Sequence, residues 1–494
     1  MKTTALVILI TAIGGPCLGS VSTNVPLNHW SYAAIDKLIG ACLIDSAMPG
    51  TRPFSRLEMA RLIYEAGEKA TLQGEKNRII LALLDRLQQE FRCDLDLAGP
   101  SRMGRSEDYI KPIEDPYLRL VYGKESFDLE NQSGDRFGKG GNTRLGLAAR
   151  MNVFDTLAFY VHPEYRNSSD ADSGFEAIEA YGKMAIGRFE VEVGKDSLWW
   201  GPGYHASMMM SNNAENFTML KVSNPEPILL PWIFRGLGPL KAVYFLTQLE
   251  ENRDHPNAKL AGLRMSIKPH PNIELGASRT MMFGGEGVPD VGLKNYLAVL
   301  GITHEQANNN QLAGFDVSIF VPCADLLPIR SARLYMDMAG EDEAGYLPSK
   351  WGRLYGIQLS DLFKTGRTDL RIEYANDHVD GYANVFYAHS SYTSGYTYKG
   401  RIIGHHMGTD SEDLLIRLTH YLTEELVVGG QYDLQTANLS SSPQPVTHQF
   451  GADLMWFAPH NWEVRAAYRF EETSSDDVSL GSNHIFDLGL VYNF

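Results

Sequence analysis

The sequence contains no long apolar run after its first residues, although 44% of its 494 residues are hydrophobic. A transmembrane helix needs about 20 consecutive apolar residues, so this absence excludes one. Strands that cross a membrane stay possible, because every second residue of such a strand can face water. Their alternation would keep the mean hydropathy low, and the chain's value is −0.22.

Cysteine and positive charge are also scarce. The chain has four cysteines, and these offer neither a disulfide framework nor the spacing of a metal site. It has 60 acidic against 44 basic residues and a formal net charge of −16. This balance argues against nucleic acid as a partner.

Sequence motifs of common enzyme classes are missing as well. We find no GxSxG, HExxH or CxxC motif and no lysine-containing phosphate loop. Residues 340–343 cluster three carboxylates, Glu341, Asp342 and Glu343. A glycosidase holds two carboxyl groups about 5–10 Å apart, and a loop does not fix that distance. A solvated loop or a Ca²⁺ site suits the cluster better. We therefore predict no enzyme and no cofactor, and a surface hydrolase is the weakest interpretation.

The N-terminus predicts export. Met1 and Lys2 precede an apolar stretch, residues 5–13, and Gly19 and Ser22 are small residues suited to cleavage. This pattern is typical of a secretory signal peptide. We assign the signal peptide to residues 1–22.

The next segment, residues 23–98, predicts a helical periplasmic domain. Its first part has apolar residues at helical spacing. Ser55 is placed as the N-cap of a second helix, with Glu58 three residues later. Residues 68–96 predict one further continuous amphipathic helix with Leu72 in its apolar stripe.

This helical segment resembles an S-layer homology motif. His29 and Trp30 match the first part of that motif, and Arg56 and Glu58 match the helix start after its loop. The resemblance implies binding of peptidoglycan or an associated wall polymer through these four residues. The alternative is a plain helical plug in which Trp30 belongs to the core.

The chain ends on alternating residues, as does the segment 462–470 before it. The last strand places these apolar side chains on one face: Phe486, Leu488, Leu490, Tyr492 and Phe494. In the upstream segment aromatic residues alternate with Glu463, Arg465 and Arg469. A dry sandwich core would not accept such charges, whereas the water-filled interior of a membrane barrel would.

A linker is predicted at residues 99–115, and alternating segments of about ten residues follow over 116–494. Short turns and long polar loops alternate along the chain, as periplasmic turns and surface loops do in outer-membrane barrels. Requiring every short turn to be periplasmic demands an extra strand within 205–222. We predict an all-β transmembrane fold, an antiparallel outer-membrane β-barrel of about eighteen strands with a small N-terminal α-helical periplasmic part.

The densest motif is the segment 193–205, VGKDSLWWGPGYH. Trp199, Trp200 and Tyr204 offer flat rings for stacking on sugars, and Gly201 and Gly203 predict a tight bend. The alternative is an aromatic girdle with a structural turn.

A second candidate is the loop 378–410, which is rich in tyrosine and histidine. Its rings and donors suit sugar hydroxyls or carboxylates, and Arg279 is predicted at the mouth of the lumen. Because the two adjacent histidines of this loop are not at the spacing of metal ligands, we predict no metal site. The predicted binding residues of the loop are Tyr392, Tyr396, Tyr398, His405 and His406.

Together these motifs resemble the capsule assembly Wzi family over roughly residues 116–494. The segments that carry the resemblance are 193–205, 211–214, 268–279, 283–285, 340–343, 395–400 and 403–408. The resemblance implies an eighteen-stranded outer-membrane barrel with a periplasmic helical part that binds capsular polysaccharide at the cell surface. The N-terminal segment departs from the family pattern.

The leading prediction is therefore a polysaccharide-binding, lectin-like barrel for assembly and surface attachment of capsule or exopolysaccharide. Its expected partners are that polymer, the lipids of the outer membrane, and peptidoglycan or a related wall polymer. The alternative is a carbohydrate-selective porin anchored to the cell wall, whose lumen would be open.

Overall fold

A computed structural model shows that the chain folds into a closed β-barrel, in which each strand pairs with its two neighbours. The structure describes residues 21–98, 108–169, 171–288, 309–323, 327–344, 347–475 and 478–493. The barrel strands are Tyr109–Gly123, Gly140–Val153, Leu157–Ser168, Ala171–Ile186, Phe189–Asp196, Phe217–Ser223, Pro239–Gln248, Lys259–His270, Ile273–Phe283, Asn310–Pro322, Ser331–Ala344, Leu347–Leu362, Thr368–Asn376, Glu412–Tyr421, Leu426–Thr436, Val446–Ala458, Trp462–Ser475 and Val478–Tyr492.

Each barrel strand pairs antiparallel with its neighbours along the chain. The last strand closes on the first, from Tyr117 opposite Val491 to Gly123 opposite Ile485. The predicted count of eighteen is confirmed. The extra strand demanded by the turn count is Phe217–Ser223. The first strand begins at Tyr109, inside the segment predicted as a linker.

The two faces of each strand differ as the alternation predicts. In the closing strand, Phe486 and Leu488 are exposed on the outside, while Ile485 is buried. On the inner face, Arg119 Nη2 donates to Asp487 Oδ2 at 2.6 Å. The outer face is therefore apolar and the inner face carries paired charges.

Within the described part of the chain, four helices precede the barrel: Ser31–Gly40, Arg56–Gln73, Arg78–Glu90 and Arg92–Ala98. Ser55 caps the second helix, since its side chain accepts from the Glu58 N–H at 3.1 Å. The prediction of one continuous helix over 68–96 is wrong. Gly74 is left-handed, with φ +62°, and ends the second helix, and Leu72 is 83% exposed instead of packed.

None of the helices that the structure describes is long and apolar enough to cross a membrane. The predicted signal peptide lies outside the described residues except for Val21 and Ser22. Val21 donates its N–H to the carbonyl of Asp155 at 3.1 Å, in a turn between two barrel strands. The described chain therefore starts against the barrel wall.

The helices form a plug inside one end of the barrel. Lys241 of the wall contacts Glu58 of the plug at 2.7 Å, and Arg371 contacts Asp36 at 2.6 Å. These wall residues lie on different sides of the lumen, on strands Pro239–Gln248 and Thr368–Asn376. The plug is thus held to the wall by ion pairs on both of these sides.

Candidate functional site

The segment 197–216 connects two barrel strands at the end opposite the plug and folds into the lumen. Trp199 and Trp200 form a two-residue strand that pairs with Arg52 and Thr51 of the plug. The Gly201 N–H donates to the carbonyl of Gly50 at 2.8 Å. The segment therefore crosses the lumen and touches the plug.

The two predicted sugar-stacking tryptophans have internal partners. Trp200 is completely buried, and its ring centroid lies 5.4 Å from that of Phe245 at an angle of 63°. The Arg52 guanidinium lies 5.0 Å from the Trp199 ring centroid. Sugar stacking by either ring stays a prediction, because it requires this segment to move out of the lumen.

The bend after the tryptophans depends on glycine. Gly201 has φ +142°, a conformation that other residues rarely adopt. A Cβ atom on Gly203 would collide with the carbonyl oxygen of Ala206. The bend aims Tyr204 and His205 at the interior of the barrel.

Tyr204 faces an internal cavity of about 150 Å³ between the plug and the wall. Tyr204 is 42% exposed, and the guanidinium groups of Arg371 and Arg417 lie 4.3 and 5.9 Å from its ring centroid. Trp30 and Asp453 also line the cavity. An aromatic ring between two cations and carboxylates can hold a small polar group.

Tyrosines of the loop 377–411 pack onto the segment 197–216 and onto its neighbours in the barrel. The Tyr392 and Tyr396 hydroxyls donate to the carbonyls of Gly284 at 3.0 Å and Met209 at 3.1 Å. Burial raises the pKa of Tyr392 to about 12, so its hydroxyl stays a donor. Tyr398 is also buried, with its ring centroid 4.9 Å from that of Phe217. These predicted binding residues hold the luminal loops together, and their contact with sugar stays a prediction.

The predicted histidines lie in a buried cluster that includes residues the sequence did not single out. His406 Nε2 lies 3.1 Å from Asp413 Oδ2, and His205 Nε2 lies 3.0 Å from Asp433 Oδ2. Burial opposes protonation of His205, but Asp433 and Asp413 raise its pKa to about 10. Burial lowers the pKa of His405, so this neighbouring ring is neutral.

Arg279 does not lie among the side chains that face the lumen. It shares a strand face with Leu275, which is exposed on the outside of the barrel, whereas Glu274 and Ser278 are buried on the other face. Its guanidinium donates to Gln311 of the adjacent strand. The strand alternation points its side chain outward, away from the lumen, and its binding of polysaccharide stays a prediction.

Two of the predicted wall-binding residues pack at the boundary between plug and barrel. Trp30 is buried, with its ring edge-on to Phe457 at a centroid distance of 5.4 Å. His29 is half-buried, and its Nδ1 lies 2.8 Å from the hydroxyl of Ser31. Both side chains already have partners inside the protein.

The other two residues of the S-layer-like pattern are also buried. Arg56 Nε donates to Asp94 Oδ2 at 2.9 Å within the plug, and Glu58 accepts from Lys241 of the wall. Binding of peptidoglycan through these residues stays a prediction. The sequence pattern that matches Arg56 and Glu58 to the S-layer homology motif is equally compatible with residues that hold a plug inside a barrel.

The end of the barrel opposite the plug also presents an aromatic residue to solvent. Tyr382, in the loop 377–411, is 58% exposed, and Lys350 Nζ lies 4.8 Å from its ring centroid. Of the three clustered carboxylates, Glu341 is buried, and the side chains at 342 and 343 lie outside the described residues. An exposed ring beside a cation is suited to an acidic sugar.

The sequence from 120 to 487 matches the family described as capsule assembly protein Wzi. The chain belongs to the capsule assembly protein Wzi family. It is 33% identical over 192 residues to an uncharacterized 55.8 kDa protein in the cps region of Klebsiella pneumoniae. That match covers 38% of this chain and only 37% of the relative.

The fold is that of a solved Wzi structure from Escherichia coli, with a TM-score of 0.73 and 21% sequence identity. The match covers 96% of this chain and 100% of that one. That protein is described as an outer-membrane protein involved in group 1 capsule assembly and as a carbohydrate-binding β-barrel. This Wzi-family chain is likewise an outer-membrane barrel, with its plug at the periplasmic end and its long loops at the cell surface.

Proposed function

We propose that this chain binds capsular or exopolysaccharide at the cell surface and helps to assemble and retain it on the outer membrane. The E. coli relative of the same fold is described as carbohydrate-binding and as involved in capsule assembly. The role is that of a binding protein without catalytic chemistry, and the lipids of the outer membrane cover its apolar outer face.

The filled lumen is the observation that carries this proposal. The helical plug occupies the periplasmic end, and the segment 197–216 descends from the other end until Trp200 pairs with Thr51. A carbohydrate-selective porin needs a continuous water path along its axis. Within the described residues, plug and loops meet across that axis, which favours binding over transport.

The binding surface that we propose lies on the outer rim of the barrel, led by Tyr382 of the loop 377–411 and Lys350 of the strand Leu347–Leu362. Tyr382 is the tyrosine of this loop that is accessible while the luminal loops stay packed. Many such contacts along a repeating polymer add through multivalency, so each one can be weak.

The test is binding of purified barrel to the polysaccharide of its own strain, with Tyr382→Ala compared to wild type. Loss of one aromatic contact worth about 0.5–1.5 kcal/mol should weaken the affinity for a single repeat unit about 2- to 13-fold. Trp232→Ala is the matched control, because Trp232 is 89% exposed but lies at the periplasmic end. Equal losses in both variants, or no binding by wild type, would contradict the proposal.

A further inference from the structure

A buried group of two histidines and two aspartates lies where the luminal loops meet the barrel wall. We propose that His205, His406, Asp413 and Asp433 form a binding site for one divalent transition-metal ion of the Zn²⁺ type. One ligand atom from each residue lies within 4.8 Å of the others. The site is independent of polysaccharide binding and goes beyond it.

The distances between the ligand atoms suit tetrahedral coordination. His205 Nε2 lies 3.0 Å from Asp433 Oδ2 and 3.8 Å from Asp413 Oδ1, and His406 Nε2 lies 3.1 Å from Asp413 Oδ2. Zn²⁺ binds nitrogen and oxygen ligands at about 2.0–2.2 Å, which places tetrahedral ligand atoms about 3.3–3.6 Å apart. Small rotations of the four side chains would bring the pairs into this range.

The backbone positions these ligands without help from an ion. Asp413 and Asp433 lie on adjacent strands, where Asp433 is opposite Leu415, so the two carboxylates are diagonal neighbours on the luminal face. The N–H of His205 donates to Glu373 Oε2 at 2.8 Å. The N–H of His405, next to His406, donates to the Tyr387 hydroxyl at 2.9 Å.

Burial and charge favour a dication at this position. Asp413 and Asp433 are 2% and 1% exposed, and two buried carboxylates at close range repel each other. The nearby Arg469 is already paired with Glu130 at 2.7 Å. Once the ion has displaced the proton of His205, two neutral imidazoles, two carboxylates and a divalent ion sum to zero charge, which suits a site of low dielectric constant.

The second carboxylate oxygen of Asp433, Oδ1, has no hydrogen-bond donor within the described cluster. No donor from elsewhere among the described residues reaches this atom either, although it is buried. A buried carboxylate oxygen without a partner is costly and marks a position where a cation would be bound. Imidazole nitrogens select zinc, nickel or copper over calcium and magnesium, which prefer oxygen ligands alone.

An ion bound here would join three parts of the barrel. His205 belongs to the segment 197–216, His406 to the loop 377–411, and the aspartates to the wall. The metal would therefore act as a cross-link that holds both luminal loops against the wall.

The test uses the full-length barrel in detergent, purified with an affinity tag that contains no histidine. After treatment with EDTA, the protein is titrated with ZnCl₂, and bound metal is measured by mass spectrometry. We expect one Zn²⁺ per chain in the wild type. His406→Gln and Asp433→Asn should each weaken binding at least about 10- to 100-fold, the loss that follows removal even of outer-sphere partners.

His378→Gln is the matched control, because it removes a histidine–aspartate pair, His378 Nδ1 to Asp410 Oδ1 at 2.8 Å, from the same loop but outside the cluster. This variant should bind Zn²⁺ as the wild type does. Failure of the wild type to retain Zn²⁺, or equal binding by all variants, would overturn the proposal.

A measurement on the wild type alone covers the case in which a variant does not fold. Co²⁺ loaded into the stripped barrel should give the intense visible absorption of a tetrahedral site. Stoichiometric Co²⁺ with only the weak absorption of an octahedral ion would refute the four-ligand site.

Discussion

Replacement of Trp200 by alanine separates a packing role from a direct role in sugar binding. The Trp200 ring is completely buried, and a Cβ atom added at Gly262 would lie 2.8 Å from it. Wall and ring therefore fit closely. We expect Trp200→Ala to leave a cavity that the rigid barrel wall cannot close.

The size of this effect follows from the burial. Removal of a buried Trp or Phe side chain costs about 3–5 kcal/mol. The barrel strands are unaffected, so the cost falls on the docking of the segment 197–216 against the wall. At about 1.36 kcal/mol per factor of ten, the equilibrium for release of this segment should rise about 150- to 5,000-fold.

Amide hydrogen exchange measures that equilibrium directly. The amides of Trp200 and Gly201 are good reporters, since they donate to the carbonyls of Met210 and Gly50 at 2.9 and 2.8 Å. Their protection should fall by the factor above in Trp200→Ala, and should be unchanged in Tyr382→Ala. Unchanged protection together with lost polysaccharide binding would refute the packing argument and assign Trp200 to the sugar.

Two further predictions concern how the plug is held. Among the described residues, Glu58→Ala leaves the buried Lys241 Nζ with the Thr51 carbonyl at 3.2 Å as its one hydrogen-bond acceptor, so docking of the plug should weaken by about 3–5 kcal/mol. Exchange in the helix Arg56–Gln73 would show this, and Glu58→Gln, which keeps an acceptor, should lose less. Burial opposes ionisation of Asp36, but Arg371 and Arg333 hold its pKa below the usual 3.8. Wild type should exceed Asp36→Asn in stability above pH 3.8, and thermal unfolding should show the advantage vanish as the pH falls through the lower folded pKa. A pH-independent difference would contradict this pairing.

Much of the barrel could be read from local patterns. The two-residue period of a strand assigns every side chain to one of two faces, and this period places Phe486 outside and Asp487 inside. The alternation of short and long connections was enough to require a strand within 205–222, where the structure has Phe217–Ser223. Ser55 as a helix cap followed from its own neighbours.

The packing of side chains inside the barrel could not be predicted from local sequence patterns. Exposed and buried aromatic residues look alike in sequence, so Trp200, Tyr392 and Tyr396 were predicted as binding residues although they pack between loops, plug and wall. The same limit applies to Arg56 and Glu58, whose motif suits both a wall-binding domain and a plug.

The sequence by itself determined the strands, their faces, their number and the family, because each depends on residues close together in the chain. Only the tertiary structure decided what fills the lumen and which side chains meet there. His205, His406, Asp413 and Asp433 come together because barrel closure and two inward-folding loops bring distant segments to one point. The spacing of these residues in the sequence does not predict that they lie close together, because their proximity depends on how the closed wall, the plug and the loops fit one another.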